Sequence, residues 1–88
     1  MQTYFKRNVM DTLLSRITMN KDVCKGKPSI RGMRFTVSQM LDLIASGMAS
    51  DEILNDYPYL EVDDIAACLQ YASCVLNNRD MLFIEHVA

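Results

Sequence analysis

The feature that most constrains this 88-residue chain is the dense helix punctuation between residues 36 and 62. Thr36-Val37-Ser38-Gln39 has the form of a capping box. The Thr hydroxyl accepts from the amide three residues on, and the Gln side chain reaches back to the Thr amide. Val37, Met40, Leu41, Ile44 and Ala45 then fall on one helical face with Leu43 at its margin, while Ser38, Gln39, Asp42 and Ser46 fall opposite. Gly47 supplies the left-handed residue that closes such a helix. Ser50 is the expected cap of a second helix, with Asp51 and Glu52 in its first turn, where the dipole favours acids. Ile53 and Leu54 are its apolar anchors, and Pro58 ends it. A third helix is expected to begin near Glu61-Val62 and to stop at Asn77-Asn78. Its predicted buried face is Val62, Ile65, Ala66, Leu69, Ala72 and Leu76, widened by Cys68 and Val75 to roughly half the circumference. A small bundle needs less than that, so the surplus predicts a second buried contact, by self-association or with a partner.

The flanks are less regular. Residues 4–15 predict a weakly amphipathic helix on Val9, Met10, Leu13 and Leu14. Arg16-Ile17-Thr18-Met19 reads as a short strand, and residues 20–29 read as a loop because Gly26 and Pro28 interrupt any regular element. Ile30 to Phe35 is expected to be extended again, with Gly32 marking a bend or a close backbone approach. After Asp80, the run Met81-Leu82-Phe83-Ile84 is four consecutive apolar residues. It suits an arm that docks on a partner, or a segment that folds back or pairs across a dimer. The fold class is therefore mainly α: a small three-helix, helix-turn-helix-like bundle preceded by a basic loop with short extended segments. An ordinary three-helix scaffold shares this pattern. Residues 1–15 form an N-terminal extension, 16–78 the domain and 79–88 a C-terminal tail.

Composition narrows the function classes. With 50% hydrophobic and 23% charged residues, three Gly and two Pro, the chain reads as one globular domain. A core this small offsets its ordering entropy narrowly, so a homodimer or other partner is expected. No apolar run approaches the ~20 residues of a membrane span, and the start lacks a signal-peptide core. Three cysteines, an odd count, read as reduced thiols in a cytoplasmic protein. Cys68 and Cys74 lie about 240° apart around a helix, Cys24 has no C-x-x-C partner, and the only histidine is His86. No metal site is expected, because zinc needs about four such ligands. No cofactor is expected either: Pro28 follows Gly26-Lys27, which breaks the phosphate-loop pattern. Without a positioned base beside a nucleophile, the chain reads as a non-enzyme. Asp63 and Asp64 are adjacent at a helix start and read as dipole-compensating acids.

Charge is divided along the chain. Residues 1–34 hold eight Lys or Arg against two Asp, a net of +6, and residues 35–88 hold one Arg against nine acids, a net of −8. The basic half suits phosphate, or else the two halves attract one another within the chain or across a dimer.

Two runs resemble a known family. The first is residues 16–37, with Gly26-Lys27-Pro28 and Ile30-Arg31-Gly32-x-Arg34. The second spans residues 47–72, with Gly47-Met48, Tyr57-Pro58-Tyr59-Leu60, Asp63-Asp64-Ile65 and Tyr71-Ala72. Together they resemble the domain-of-unknown-function family numbered 433 over about residues 16–76. The chain departs from it at Asn20-Lys21, where the family often has Asp-Pro, at Lys25 (glycine), at Met33 (Thr) and at Glu61 (Thr). The resemblance implies a homeodomain-like helical protein of the antitoxin type, a partner of a small PIN-like ribonuclease toxin. Occlusion of the toxin's basic RNA site by apolar and acidic groups is the mechanism it suggests, with repression of its own operon as a second role. The alternative is a DNA-binding or scaffolding homodimer with no toxin.

Two candidate sites follow. A third helix offering Asp63, Asp64 and Gln70 is a poor major-groove reader, since carboxylates repel phosphate. DNA contact is therefore expected from the basic loop: Lys25 and Lys27 to phosphates, Arg31 and Arg34 to phosphate or base. For Arg34 the competing assignment is an ion pair with an acid of the helical half. The partner-binding candidates are Met81, Leu82, Phe83 and Ile84.

Overall fold

The computed structural model describes residues 12–77. The predicted tail, the Met81–Ile84 arm and most of the predicted 4–15 helix lie outside these residues; residues 12–14 are helical. Strands β1 (Ile17–Thr18) and β2 (Ser29–Ile30) pair antiparallel, with Ile17 opposite Ile30 and Thr18 opposite Ser29. Helices α1 (Val37–Ala45), α2 (Ser50–Asp56) and α3 (Val62–Asn77) follow, so the described chain is mainly helical. None of these helices is long and apolar enough to cross a membrane.

Residues 30–35 do not run extended as expected. Arg31 and Gly32 both take left-handed backbone angles (φ 46° and 73°), and the chain reverses. Ile30 N–H then donates to Phe35 O at 2.9 Å, and Thr36 bridges back to Ser29. Gly32 is thus a bend and not a close approach; its amide donates to Thr18 Oγ1 at 2.9 Å.

The capping box of α1 is present: Gln39 N–H donates to Thr36 Oγ1 at 3.0 Å and Thr36 N–H to Gln39 Oε1 at 3.4 Å. At its other end Gly47 (φ 97°) closes the helix, with Gly47 N–H on Ile44 O at 3.0 Å and Met48 N–H on Leu43 O at 3.3 Å. That pair of bonds satisfies two of the orphan carbonyls left by any helix end. The start of α2 falls one residue earlier than expected. Ala49 is its N-cap, and Glu52 Oε1 accepts from the Ala49 amide at 2.8 Å, so Ser50 is the first helical residue and not the cap.

The core comprises Ile30, Phe35, Val37, Met40, Ile53, Leu60, Ile65 and Cys68, so the hairpin and all three helices meet in one cluster. Phe35 and Tyr57 pack edge to face, ring centres 5.0 Å apart. The inward face of α3 differs from the predicted one. Asp64, Ile65, Ala67 and Cys68 are buried, whereas Val62, Leu69, Val75 and Leu76 are exposed. The helix carries two apolar stripes, and the structure turns the one containing Asp64 inward.

Candidate functional site

Asp64, the third residue of α3, is an anion enclosed completely by the fold. Its Oδ1 accepts from Arg31 Nε at 3.0 Å and from Arg16 Nη1 at 3.0 Å. Its Oδ2 accepts from Arg31 Nη2 at 2.7 Å and from the Glu61 amide at 2.8 Å. Arg31 thus grips the carboxylate with two donors, the geometry that makes guanidinium–carboxylate pairs strong and directional. The Glu61 bond is half of a capping box, with Asp64 in the role usually taken by Glu or Gln. Arg16 also donates to Glu61 Oε1 at 2.8 Å and lies 3.7 Å from Asp63 Oδ2. Arg31 Nη2 also donates to the Tyr59 carbonyl at 3.0 Å.

Burial alone pushes the Asp64 carboxyl up. The hydrogen bonds from Arg31, the Glu61 amide and Arg16 outweigh it and hold the group below its ordinary value. Hydrogen bonds that Arg16 donates to Glu61 and Asp64 raise its pKa, and those that Arg31 donates to Asp64 raise that of Arg31. No buried side-chain polar atom is left without a partner among the described residues. The three side chains come from the residue before β1, the turn after β2 and α3, so the network ties the basic front of the chain to its acidic bundle.

The basic loop is built by local turns. Asp22 N–H donates to Asn20 Oδ1 at 2.9 Å and Val23 N–H to Asn20 O at 2.8 Å, an Asx-type turn. Cys24, Lys25 and Gly26 then take left-handed angles in succession (φ 50°, 57° and 82°). A Cβ built on Gly26 would lie 3.7 Å from the Lys21 Cα, so the loop folds back on itself there. Lys21, Lys25, Lys27 and Arg34 are all exposed, and none forms an ion pair among the described residues. Lys25 holds a conformation that costs a residue with a Cβ roughly 1 kcal/mol or more relative to glycine.

The loop, Arg31, Asp64 and most of α3 lie within one recognisable unit. The family model described as "Protein of unknown function (DUF433)" matches residues 17–72, more than half of the chain. The chain belongs to the DUF433 family. No curated protein and no solved structure matches it. In this DUF433 chain the matched span runs from β1 into α3, so it contains Arg31 and Asp64, while Arg16 stands immediately before it.

The four predicted DNA-binding residues divide. Lys25, Lys27 and Arg34 are exposed and free to meet a ligand, whereas Arg31 is committed to Asp64. The ion pair considered for Arg34 forms instead at Arg16 and Arg31. Asp64 is more than a dipole-compensating acid, while Asp63 keeps the exposed first-turn position expected of both. Sequence reasoning missed the pairing, yet a signal for it exists. Asp64, Cys68 and Tyr71 share the i, i+4, i+7 stripe of α3, and an acid on a core-facing stripe requires a cation. Apart from Arg79, every cation of this chain lies in residues 1–34.

The DUF433 cysteines do not converge. Cys68 is buried, and its thiol is pushed up to about 12 by burial and by the Asp64 charge. Among the described residues no group of three or more His, Cys, Asp or Glu side chains is placed to hold a metal ion.

Proposed function

We propose that this DUF433 chain is an antitoxin-like protein that neutralises a small PIN-like ribonuclease toxin by covering its basic RNA-binding site, and that it works as a homodimer. The observation that carries this reading is the unopposed acidity of α1 and α2. Asp42, Asp51, Glu52 and Asp56 are exposed, and no Lys or Arg occurs between residues 35 and 78. The acids of α3 are spent on Arg16 and Arg31, so these four remain to attract a cationic protein. Met81, Leu82, Phe83 and Ile84 supply the apolar part of that contact as an arm. Co-expression with the product of the adjacent gene, followed by co-purification, tests the pairing. Deleting residues 79–88 is expected to abolish it while leaving the helical far-UV signal intact; a truncated chain that still co-purifies removes the arm from the site.

A second role is favoured by the free cations of the loop: contact with DNA at its own operator. Lys25 and Lys27 touch phosphates in this reading, with Arg34 beside them. Replacing both lysines with Ala is expected to flatten the plot of log affinity against log salt by about two units, since each phosphate contact contributes about 0.9. An unchanged slope rules the loop out. Arg31 is assigned no DNA contact, because Asp64 holds it.

A further inference from the structure

The loop of residues 20–29 gathers charge that the rest of the fold leaves alone. Arg16 and Arg31 are paired with the acids at the start of α3, whereas Lys21, Lys25 and Lys27 are exposed and make no ion pair among the described residues. The backbone brings the three together. A Cβ on Gly26 would stand 3.7 Å from the Lys21 Cα. One Cα–Cβ bond and the step of about 3.8 Å between consecutive Cα atoms then put the Lys21 Cα within about 9 Å of the Cα atoms of both Lys25 and Lys27. Each lysine carries its ammonium on a flexible four-carbon stem, so the three charges can reach one row of anions. Asp22 is the only acid of the loop, which leaves it a net charge of +2. Cys24 and Lys25 also hold left-handed angles (φ 50° and 57°) where glycine is at ease. Lys25 is exposed, so packing does not demand it there, and backbone strain of this kind gathers at ligand sites.

The chemistry of the loop selects its occupant. Lysine ammoniums are point charges that hold phosphates, and phosphate contacts carry no sequence information. The nearby groups able to read base edges are engaged elsewhere. Arg31 is held by Asp64 and the Tyr59 carbonyl, and Asn20 Oδ1 accepts from the Asp22 amide. No aromatic residue occurs between residues 6 and 34, so the loop lacks the stacking platform that holds single strands. Three lysines also fall short of the roughly four to eight clustered cations that hold a protein on anionic lipid. A duplex, with one phosphate charge per about 1.7 Å of its axis, is dense enough to engage all three at once.

We propose that Lys21, Lys25 and Lys27 form one clamp for the phosphates of duplex DNA, which grips the backbone and leaves the sequence unread. The clamp rests on the DNA contact of the proposed function and adds Lys21 to it. Any choice of operator then falls to other residues of the chain.

The test follows binding of the purified full chain to two fluorescein-labelled duplexes by anisotropy, over a fourfold rise in salt. One duplex is the DNA upstream of its own gene, and the other has the same composition in shuffled order. Lys21→Ala is expected to lower the slope of log affinity against log salt by about 0.9, so that its affinity falls about 3.5-fold less over that range. Lys21→Arg keeps the charge and is expected to keep the slope. Replacing all three lysines with Ala is expected to lower the slope by about 2.7 on both duplexes alike, with the ratio of the two affinities unchanged. A far-UV spectrum confirms that each variant is folded, and the three single Ala variants carry the test if the triple variant is not. A wild-type slope in Lys21→Ala, with Lys25→Ala and Lys27→Ala both lowered, overturns the clamp and leaves the proposed DNA contact standing. Selective weakening of the promoter duplex in the triple variant also overturns it, because the loop then reads bases. Tighter binding to the single strand than to the duplex overturns the choice of occupant. So does binding to phosphatidylserine-containing vesicles that the triple variant loses while its duplex binding is unchanged. A wild type that binds neither duplex removes the DNA contact of the proposed function and the clamp with it.

Discussion

Truncating Asp64 to Ala tests whether the buried carboxylate organises this fold. The change removes the acceptor of three arginine hydrogen bonds and of the Glu61 amide bond at the start of α3. Breaking a buried ion pair from one side typically costs 3–5 kcal/mol, because the surviving charge is stranded. Here the stranding is partial. The Arg31 side chain is 34% exposed, so its guanidinium turns to water once released. Removing Asp64 also ends the cost of keeping its own charge from solvent. These two effects bring the expected loss to the lower end, about 3 kcal/mol. For a domain of this size each kcal/mol moves the melting temperature by roughly 4–8 °C, so Asp64→Ala is expected to melt about 12–24 °C below wild type. Urea unfolding followed by far-UV circular dichroism measures the first quantity and a thermal melt the second. Asp63→Ala is the control, since it changes a neighbouring exposed acid and is expected to stay within about 0.5 kcal/mol. Arg31→Ala added to Asp64→Ala is expected to cost little more than the aspartate change alone, because both remove one interaction. An Asp64→Ala loss below about 1 kcal/mol, or one no larger than that of Asp63→Ala, refutes the organising role.

Further predictions follow from the same geometry. The folded-state pKa of Asp64 lies below its unfolded value of about 3.9, so its contribution is complete above that pH and is lost as pH falls through the folded value. Stability measured by urea midpoints is therefore expected to be level between about pH 7 and 5 for this group and to fall below about pH 4; in Asp64→Ala that acid-side loss should shrink. Lys25→Gly relieves a left-handed residue (φ 57°) and is expected to raise stability by up to about 1 kcal/mol, while lowering the salt slope of DNA binding by about 0.9. A variant that loses stability would show the loop backbone is not strained. Gly47→Ala meets no atom within 4 Å, yet its φ of 97° still penalises a side chain. It is expected to lower stability by about 1 kcal/mol in thermal melts, and a neutral result would place the end of α1 in a different conformation.

Much of the helical half was legible in the sequence because its signals are local. The capping box of Thr36 and Gln39, the stop at Gly47 and the end of α2 before Pro58 each depend on a handful of adjacent residues. The first half was harder for the opposite reason. Residues 30–35 have strand-like composition, but the reversal at Arg31 and Gly32 is stabilised by long-range bonds, including Arg31 N–H to Arg16 O at 2.7 Å. Periodicity likewise showed that α3 is apolar over half its circumference without showing which stripe faces in. The stripe that faces in carries Asp64, whose partners lie 33 and 48 residues away in the chain. Lys25 was also opaque: only the left-handed backbone there (φ 57°) shows that the position favours a residue without a Cβ.

The same pairing changes what the charge asymmetry means. Read from the sequence, the front of the chain is a uniform cationic segment facing a uniform acidic one. In the fold, Arg16 and Arg31 are joined to the acids at the start of α3, which answers part of the asymmetry internally. The attraction between halves and the availability of charge for partners were posed as alternatives, and the structure divides them by residue. What remains outside the network is sorted by place: Lys21, Lys25, Lys27 and Arg34 on the loop side, Asp42, Asp51, Glu52 and Asp56 on α1 and α2. Asp64 also lies on the stripe of α3 that faces the core with Ile65, Ala67 and Cys68, so the carboxylate that joins the halves sits on the face away from the exposed Val62, Leu69 and Leu76.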